Sequence, residues 1–231
     1  KIMLGINDDS SVHSPLLRDI TSVDFDFILK ILIVGDSISG KSQLFKRFAD
    51  ETFNPEHEPT KSVEYRHRYI ETSKYRCKVQ VWDCVSSVSK AIMTSIYKGS
   101  NAIILLLDVT NSSCLEAVPD WLQEIREYAP PSAVIYLVGT KIDRDDRRIT
   151  YESCQQIARK YNLSYHEVSS KTGQNVDSLF ATIVEELEDK TVDERDAKEE
   201  RISQSEMERK RSKRELIHPY DDYEDKEESS C

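Results

Sequence analysis

Two glycines, a lysine and a serine stand at fixed spacing in GDSISGKS, residues 35–42. Phosphate oxygens are what such a stretch suits. Backbone N–H groups must turn inward around them, and a side chain at Gly35 or Gly40 would obstruct the wrap. A helix opening at Lys41 adds the positive end of its dipole. Lys41 then serves as a point charge on the terminal phosphates, a catalytic as well as a binding role, and the Ser42 hydroxyl as a ligand to Mg²⁺. Asp36, Ser37, Ile38 and Ser39 fill the loop and Gln43 follows it, so residues 35–43 form the expected phosphate contact set.

Two other places carry matching chemistry. GTKID, residues 139–143, follows the apolar AVIYLV, so its side chains emerge at the carboxyl end of a strand, where open α/β sheets bind ligands. There the Asp143 carboxylate can accept from the N1–H and exocyclic amine of guanine together. Adenine offers no such pair. Lys141 can lay its stem along the base plane, and Thr140 precedes it. Asp83, closing KVQVWD, stands where such folds place the acid that steadies Mg²⁺, usually through water.

These residues need a frame. FILKILIVG, a continuous apolar run closing on Gly35, reads as a strand buried on both faces, and KVQVWD, AIILLLDVT and AVIYLVGT are of the same kind. Helical spacing fills the intervals: KSQLFKRFAD, CLEAVPDWLQEIREYA, YESCQQIARKYN and, last, QNVDSLFATIVEELEDK. Strands alternating with helices imply right-handed crossovers and a mostly parallel sheet covered on both faces. VEYRHRYIE and YRCKVQVWD, joined by TSK, alternate polar and apolar and read as an antiparallel edge hairpin.

The chain has 231 residues, enough for one domain with extensions: residues 1–24 as an N-terminal extension, 25–189 as the folded unit and 190–231 as a charged tail, largely disordered. It opens on Lys1 rather than Met, as a piece of a longer polypeptide would. A net charge of -10 argues against nucleic acid as a partner. The five cysteines form no CxxC pair, which speaks against a zinc site or a disulfide framework and for a reducing, cytoplasmic setting. No apolar run reaches the ~20 residues of a spanning helix.

The order of motifs resembles a known family. GDSISGKS, Thr60, the Trp82-Asp83 pair, DVTNSS at 108–113, WLQEIREYA at 121–129, GTKID and SSKTG at 169–173 are together similar to the Rab branch of the Ras-like small GTPases, over roughly residues 26–189. The resemblance implies an α/β fold, the P-loop GTPase G domain: a six-stranded, mostly parallel sheet with one antiparallel edge strand and helices on both faces. It implies GTP and GDP as ligands with Mg²⁺, and effector and exchange proteins as partners in vesicle traffic. Thr60 would meet Mg²⁺ and the terminal phosphate from switch I, alongside Ser42 and Asp83 as the metal set. Ser169, Ser170 and Lys171 would form the loop whose backbone N–H meets the guanine oxygen.

The departures matter as much. Ile38 stands where the family often has glycine, Ser62 replaces a switch I glycine, and TKID replaces NKxD. Relatives read WDTAGQE in switch II, where the glycine amide contacts phosphate and the glutamine orients the attacking water. Here the frame gives Trp82, Asp83, Cys84, Val85, Ser86, Ser87 and Val88, and no Gly, Gln or Glu occurs from Cys84 to Lys98. The Ser86 N–H can stand in for the glycine amide. Ser87, the catalytic candidate at the glutamine's position, is too short to reach the same place unless the loop moves. The expectation is weak intrinsic hydrolysis, with a non-cycling nucleotide-bound module as the alternative; an ATP-using enzyme is disfavoured by Asp143. ERKRSKR, residues 208–214, lies among acidic neighbours and reads as a solvated helix face. Cys231 fits no CaaX arrangement, so lipidation there would give only weak peripheral association with internal membranes.

Overall fold

In a computed structural model of the protein, the residues described are 24–55, 60, 63–83 and 90–215. The apolar runs become β1 (Phe27–Gly35), β3 (Arg76–Asp83), β4 (Ala102–Asp108) and β5 (Val134–Thr140), and the hairpin supplies β2 (Glu64–Glu71). With β6 (Ser164–Val168) they make one six-stranded sheet in the order β2-β3-β1-β4-β5-β6. Only the β2–β3 pair is antiparallel. All seven residues of β4 are buried, and each apolar side chain so placed contributes roughly 1.5–3 kcal/mol.

Helix α1 (Lys41–Asp50) follows β1, and α2 (Lys90–Tyr97), α3 (Val118–Tyr128) and α4 (Tyr151–Tyr161) lie between later strands. Thr150 caps α4 by accepting from Ser153 N, and Asn162 ends it in the left-handed region. The run 114–129 is not one helix. A 3-10 turn at Ser112–Leu115, capped by Asn111, precedes α3, and Pro119 is placed in the first turn where no amide donor is needed. Two elements had no clear sequence signal: SYHEV of β6 is short and half polar, and α2 is a single short stretch of eight residues.

The register brings the carboxyl ends of the strands to one edge. Ile33 pairs with Asp83, Gly35 with Leu106, Asp108 with Thr140, and Thr140 with Val168. GDSISGKS, Asp83, DVTNSS, GTKID and SSKTG leave the sheet there. Behind this edge, Gly139 is held open by a neighbour: a Cβ on it would lie 2.5 Å from the Tyr165 hydroxyl and 3.0 Å from Val109 Cγ1. That hydroxyl donates to Glu167 Oε1 at 2.7 Å, and Arg147 Nη1 donates to Glu167 Oε2 at 3.0 Å. Burial and hydrogen bonding to Cys154 and Glu167 push the Tyr165 phenol well above its ordinary range.

The last helix, α5, is Val176–Glu215. The chain divides into two compact units, residues 1–187 and 188–231. In the first, Phe180, Ile183 and Val184 of α5 are fully buried. In the second, Ile202 and Met207 are exposed. No helix among the described residues is long and apolar enough to cross a membrane.

Candidate nucleotide site

β1 delivers the phosphate loop through Gly35, whose φ is 135° and whose missing Cβ would lie 2.6 Å from Leu106 O. Only glycine fits that approach. Ser39, buried, closes the loop on itself by donating from Oγ to Asp36 O at 2.8 Å. Gly40 is the N-cap of α1 and brings no side chain to cap it, so the first-turn amides keep their direction for an anion. Lys41 Nζ lies over the loop, donating to Gly35 O and Asp36 O at 2.7 Å each. Ile38, 56% exposed, sits in the loop without a positive φ, which is how isoleucine is accommodated at a frequent glycine position.

At one end of the site, the Ser42 and Thr60 hydroxyls are 2.7 Å apart. Asp83 is buried to 2% exposure, and its Oδ1 has no hydrogen-bond partner among the described residues. Burial pushes its carboxyl above the ordinary carboxylate range, partly offset by a hydrogen bond from Ser42 and by the charge of Lys41. If the single Ser42 proton goes to Asp83, Thr60 is the donor in the Ser42–Thr60 contact. Two hydroxyls and a buried carboxylate with an unpartnered oxygen are the donor set of a hard cation, and these residues fit Mg²⁺. Ser86 and Ser87 lie outside the described residues, as does Ser62.

At the other end, little is left unpaired. Thr140 shares its hydroxyl proton between Ser39 O at 2.7 Å and Leu107 O at 3.1 Å. Its side chain braces the phosphate loop from below. Lys141, at φ 64°, sends Nζ to Ile38 O at 2.9 Å and to Asp108 Oδ2 at 2.6 Å. Asp143 Oδ1 accepts from Ser169 Oγ at 2.7 Å, and Lys171 Nζ stands 3.9 Å from its Oδ2. A cleft of about 650 Å³ runs from Lys41 and Gln43 past Ile38 to Asp143, Ser170 and Lys171, large enough for a nucleotide.

Two further residues of the site stand in the sequence only as parts of a motif or a helix. Asp108, buried, accepts from Thr110 N at 2.9 Å and Thr110 Oγ1 at 2.7 Å through Oδ1, which leaves Oδ2 for Lys141. Trp121 on α3 donates from Nε1 to Asp36 Oδ1 at 3.0 Å and so ties a helix to the phosphate loop. An Asp closing an apolar strand was the available signal for the first. For the second there was none, since helical spacing marks Trp121 only as an amphipathic helix residue.

Comparison with known proteins agrees with this geometry. The Ras family model matches residues 30–189. The chain is 38% identical over 172 residues to Ras-related protein SEC4 of Candida albicans, covering 74% of this chain and 82% of that protein. It is 34% identical over 170 residues to Ras-related protein Rab-1 of Theileria annulata, covering 72% and 77%. With GTP-binding protein ypt2 of Schizosaccharomyces pombe it shares 33% identity over 171 residues, covering 73% and 86%. The chain belongs to the Ras family and is a Rab-like small GTPase of that superfamily.

Proposed function

From that membership, we propose that the chain is a guanine-nucleotide switch of Rab type that binds GTP or GDP with Mg²⁺, hydrolyses GTP slowly, and regulates vesicle traffic through effector and exchange proteins. The observation that carries the reading is Asp83 Oδ1, buried and without a hydrogen-bond partner among the described residues, next to a Ser42 hydroxyl already linked to Thr60. Residues 25–189 form the nucleotide-binding domain in this reading, with an extension before it and a charged tail after it that associates at most weakly with internal membranes.

When bound, Mg²⁺ would supply positive charge that offsets the negative charge developing on the phosphates. The chain's own residues do the rest. Lys41 turns from the loop carbonyls to the terminal phosphates, and the uncapped amides of α1 face the anion. Ser42 and Thr60 would hold the cation through their hydroxyl oxygens, with the Asp83 carboxylate beside them. Asp143 reads the guanine edge while Lys141, held by Asp108, lies along the base plane. Water positioning is the weak point: no Gln or Glu stands from Cys84 to Lys98, and Ser87 is a shorter substitute. The same absence supports a second reading, a nucleotide-bound module that does not cycle and serves as a structural or interaction unit.

Single-turnover hydrolysis of bound GTP in Mg²⁺, with Thr60→Ala as control, separates the two. Phosphate release with a half-time of about an hour to several hours, slowed further in the control, fits a slow switch. No release over days sinks the cycle and leaves the module.

A further inference from the structure

The base loop at 169–171 is held from an unexpected side. Arg47 lies on α1, six residues beyond Lys41, and is half-buried. Its guanidinium donates to three backbone carbonyls: from Nε to Ser170 O at 2.6 Å, from Nη2 to Lys171 O at 2.8 Å, and from Nη1 to Glu51 O at 2.8 Å. Glu51 is the left-handed C-cap of α1, at φ 56°. One planar fork therefore joins the end of the phosphate-loop helix to two successive peptide planes of the base loop. A lysine could not span them, because its ammonium is a compact point donor.

Peptide planarity turns this into a statement about the pocket. In a trans peptide the C=O and the following N–H point opposite ways. Fixing Ser170 O on Arg47 sets the plane of the peptide that carries the Lys171 N–H, in the stretch where Ser170 and Lys171 line the cleft with Asp143. Fixing Lys171 O aims the Thr172 N–H back at Ser169 Oγ, to which it donates at 3.1 Å. The Ser169 hydroxyl in turn donates to Asp143 Oδ1 at 2.7 Å. Both parts that would read a guanine edge, the backbone of the base loop and the Asp143 carboxylate, are thus held from one guanidinium.

We infer that Arg47 is a positioning residue for base selectivity: it sets the guanine preference of the cleft through the Ser170 and Lys171 carbonyls without touching the nucleotide. The inference rests on guanine occupying the cleft as proposed above. A residue that merely stabilised α1 would weaken every nucleotide alike. A positioning residue weakens only those that offer a 6-oxo group and an N1–H.

The test uses the full chain with Arg47→Ala and Arg47→Lys, measuring equilibrium affinity for GDP and for 2-aminopurine riboside diphosphate, which presents neither group. Loss of one well-placed hydrogen bond predicts about tenfold weaker GDP binding in both variants, with less than about a twofold change for the analogue. Equal weakening of both nucleotides, or no change in GDP affinity, overturns the inference. Arg47→Lys keeps the charge and serves as the folded variant should Arg47→Ala unfold. A wild-type chain that binds the analogue or ADP as tightly as GDP overturns the guanine reading itself, an outcome visible before either variant is made.

Discussion

The two ends of the cleft are finished to different degrees. At the base end, Lys141, Thr140 and Asp143 are each held by a partner from another element: Asp108, Ser39 and Ser169. At the metal end, Ser42 and Thr60 face one another while Asp83 keeps a buried oxygen with no hydrogen-bond partner among the described residues. Desolvation at the base end is offset inside the protein. At the metal end the Ser42 hydrogen bond and the Lys41 charge offset it only in part, and a cation would complete it. The difference teaches where a change of state can be coupled: a preformed end reads identity, and an end that needs its ligand responds to which ligand is present.

Three substitutions test that division. The largest effect belongs to Asp143→Ala, which removes two charge-assisted hydrogen bonds and is expected to lower the preference for GDP over ADP about a hundredfold. If the ends are separable, competition binding gives the same loss with and without Mg²⁺. A loss that depends strongly on the metal breaks the comparison.

Asp83→Asn addresses the other end. Nucleotide titrations in Mg²⁺ should show about tenfold weaker GTP binding, with no change in EDTA. Stability adds a sign that can be checked. The folded pKa of Asp83 is raised, so the native state holds its proton more firmly than the unfolded chain and loses relative stability as pH climbs from the ordinary carboxylate value through the raised one. Without nucleotide or metal, the variant should therefore melt higher than the wild type at neutral pH, and the gap should close as pH falls toward about 4. A wild type that melts higher at neutral pH would mean the unpartnered oxygen carries no penalty.

The smallest effect is expected from Trp121→Phe, which keeps the ring and deletes the bond to Asp36. About 1 kcal/mol, or roughly fivefold faster GDP dissociation, is the scale of one ordinary, part-buried hydrogen bond. Unchanged dissociation would show that the phosphate loop holds its shape without α3.

Much of this was legible in the sequence for a physical reason. Strands buried on both faces announce themselves as apolar runs, and β1 and α1 fall on the predicted residues, FILKILIVG and KSQLFKRFAD. The loop GDSISGKS combines backbone and side-chain requirements in eight consecutive residues. What escaped was held by pairs far apart along the chain: Lys141 with Asp108, Asp36 with Trp121, and Arg47 with the carbonyls of Ser170 and Lys171. A carbonyl acceptor leaves no mark on residue type, so Arg47 looked like any charged residue on a helix. β6 escaped because its five residues are mostly polar and half exposed.

Gly139 and Tyr165 give this end of the molecule a history as well as a shape. The phenol oxygen fills the space a methyl group at 139 would need, and the same oxygen donates to Glu167. The two positions are linked in one direction: a side chain at 139 is tolerable only after 165 has given up its hydroxyl, whereas Glu167 keeps both Arg147 donors when that hydroxyl is lost. Descendants of this chain that abandon glycine before the base motif should have changed the tyrosine earlier, so the order of the two replacements in a lineage is dictated by a single 2.5 Å gap.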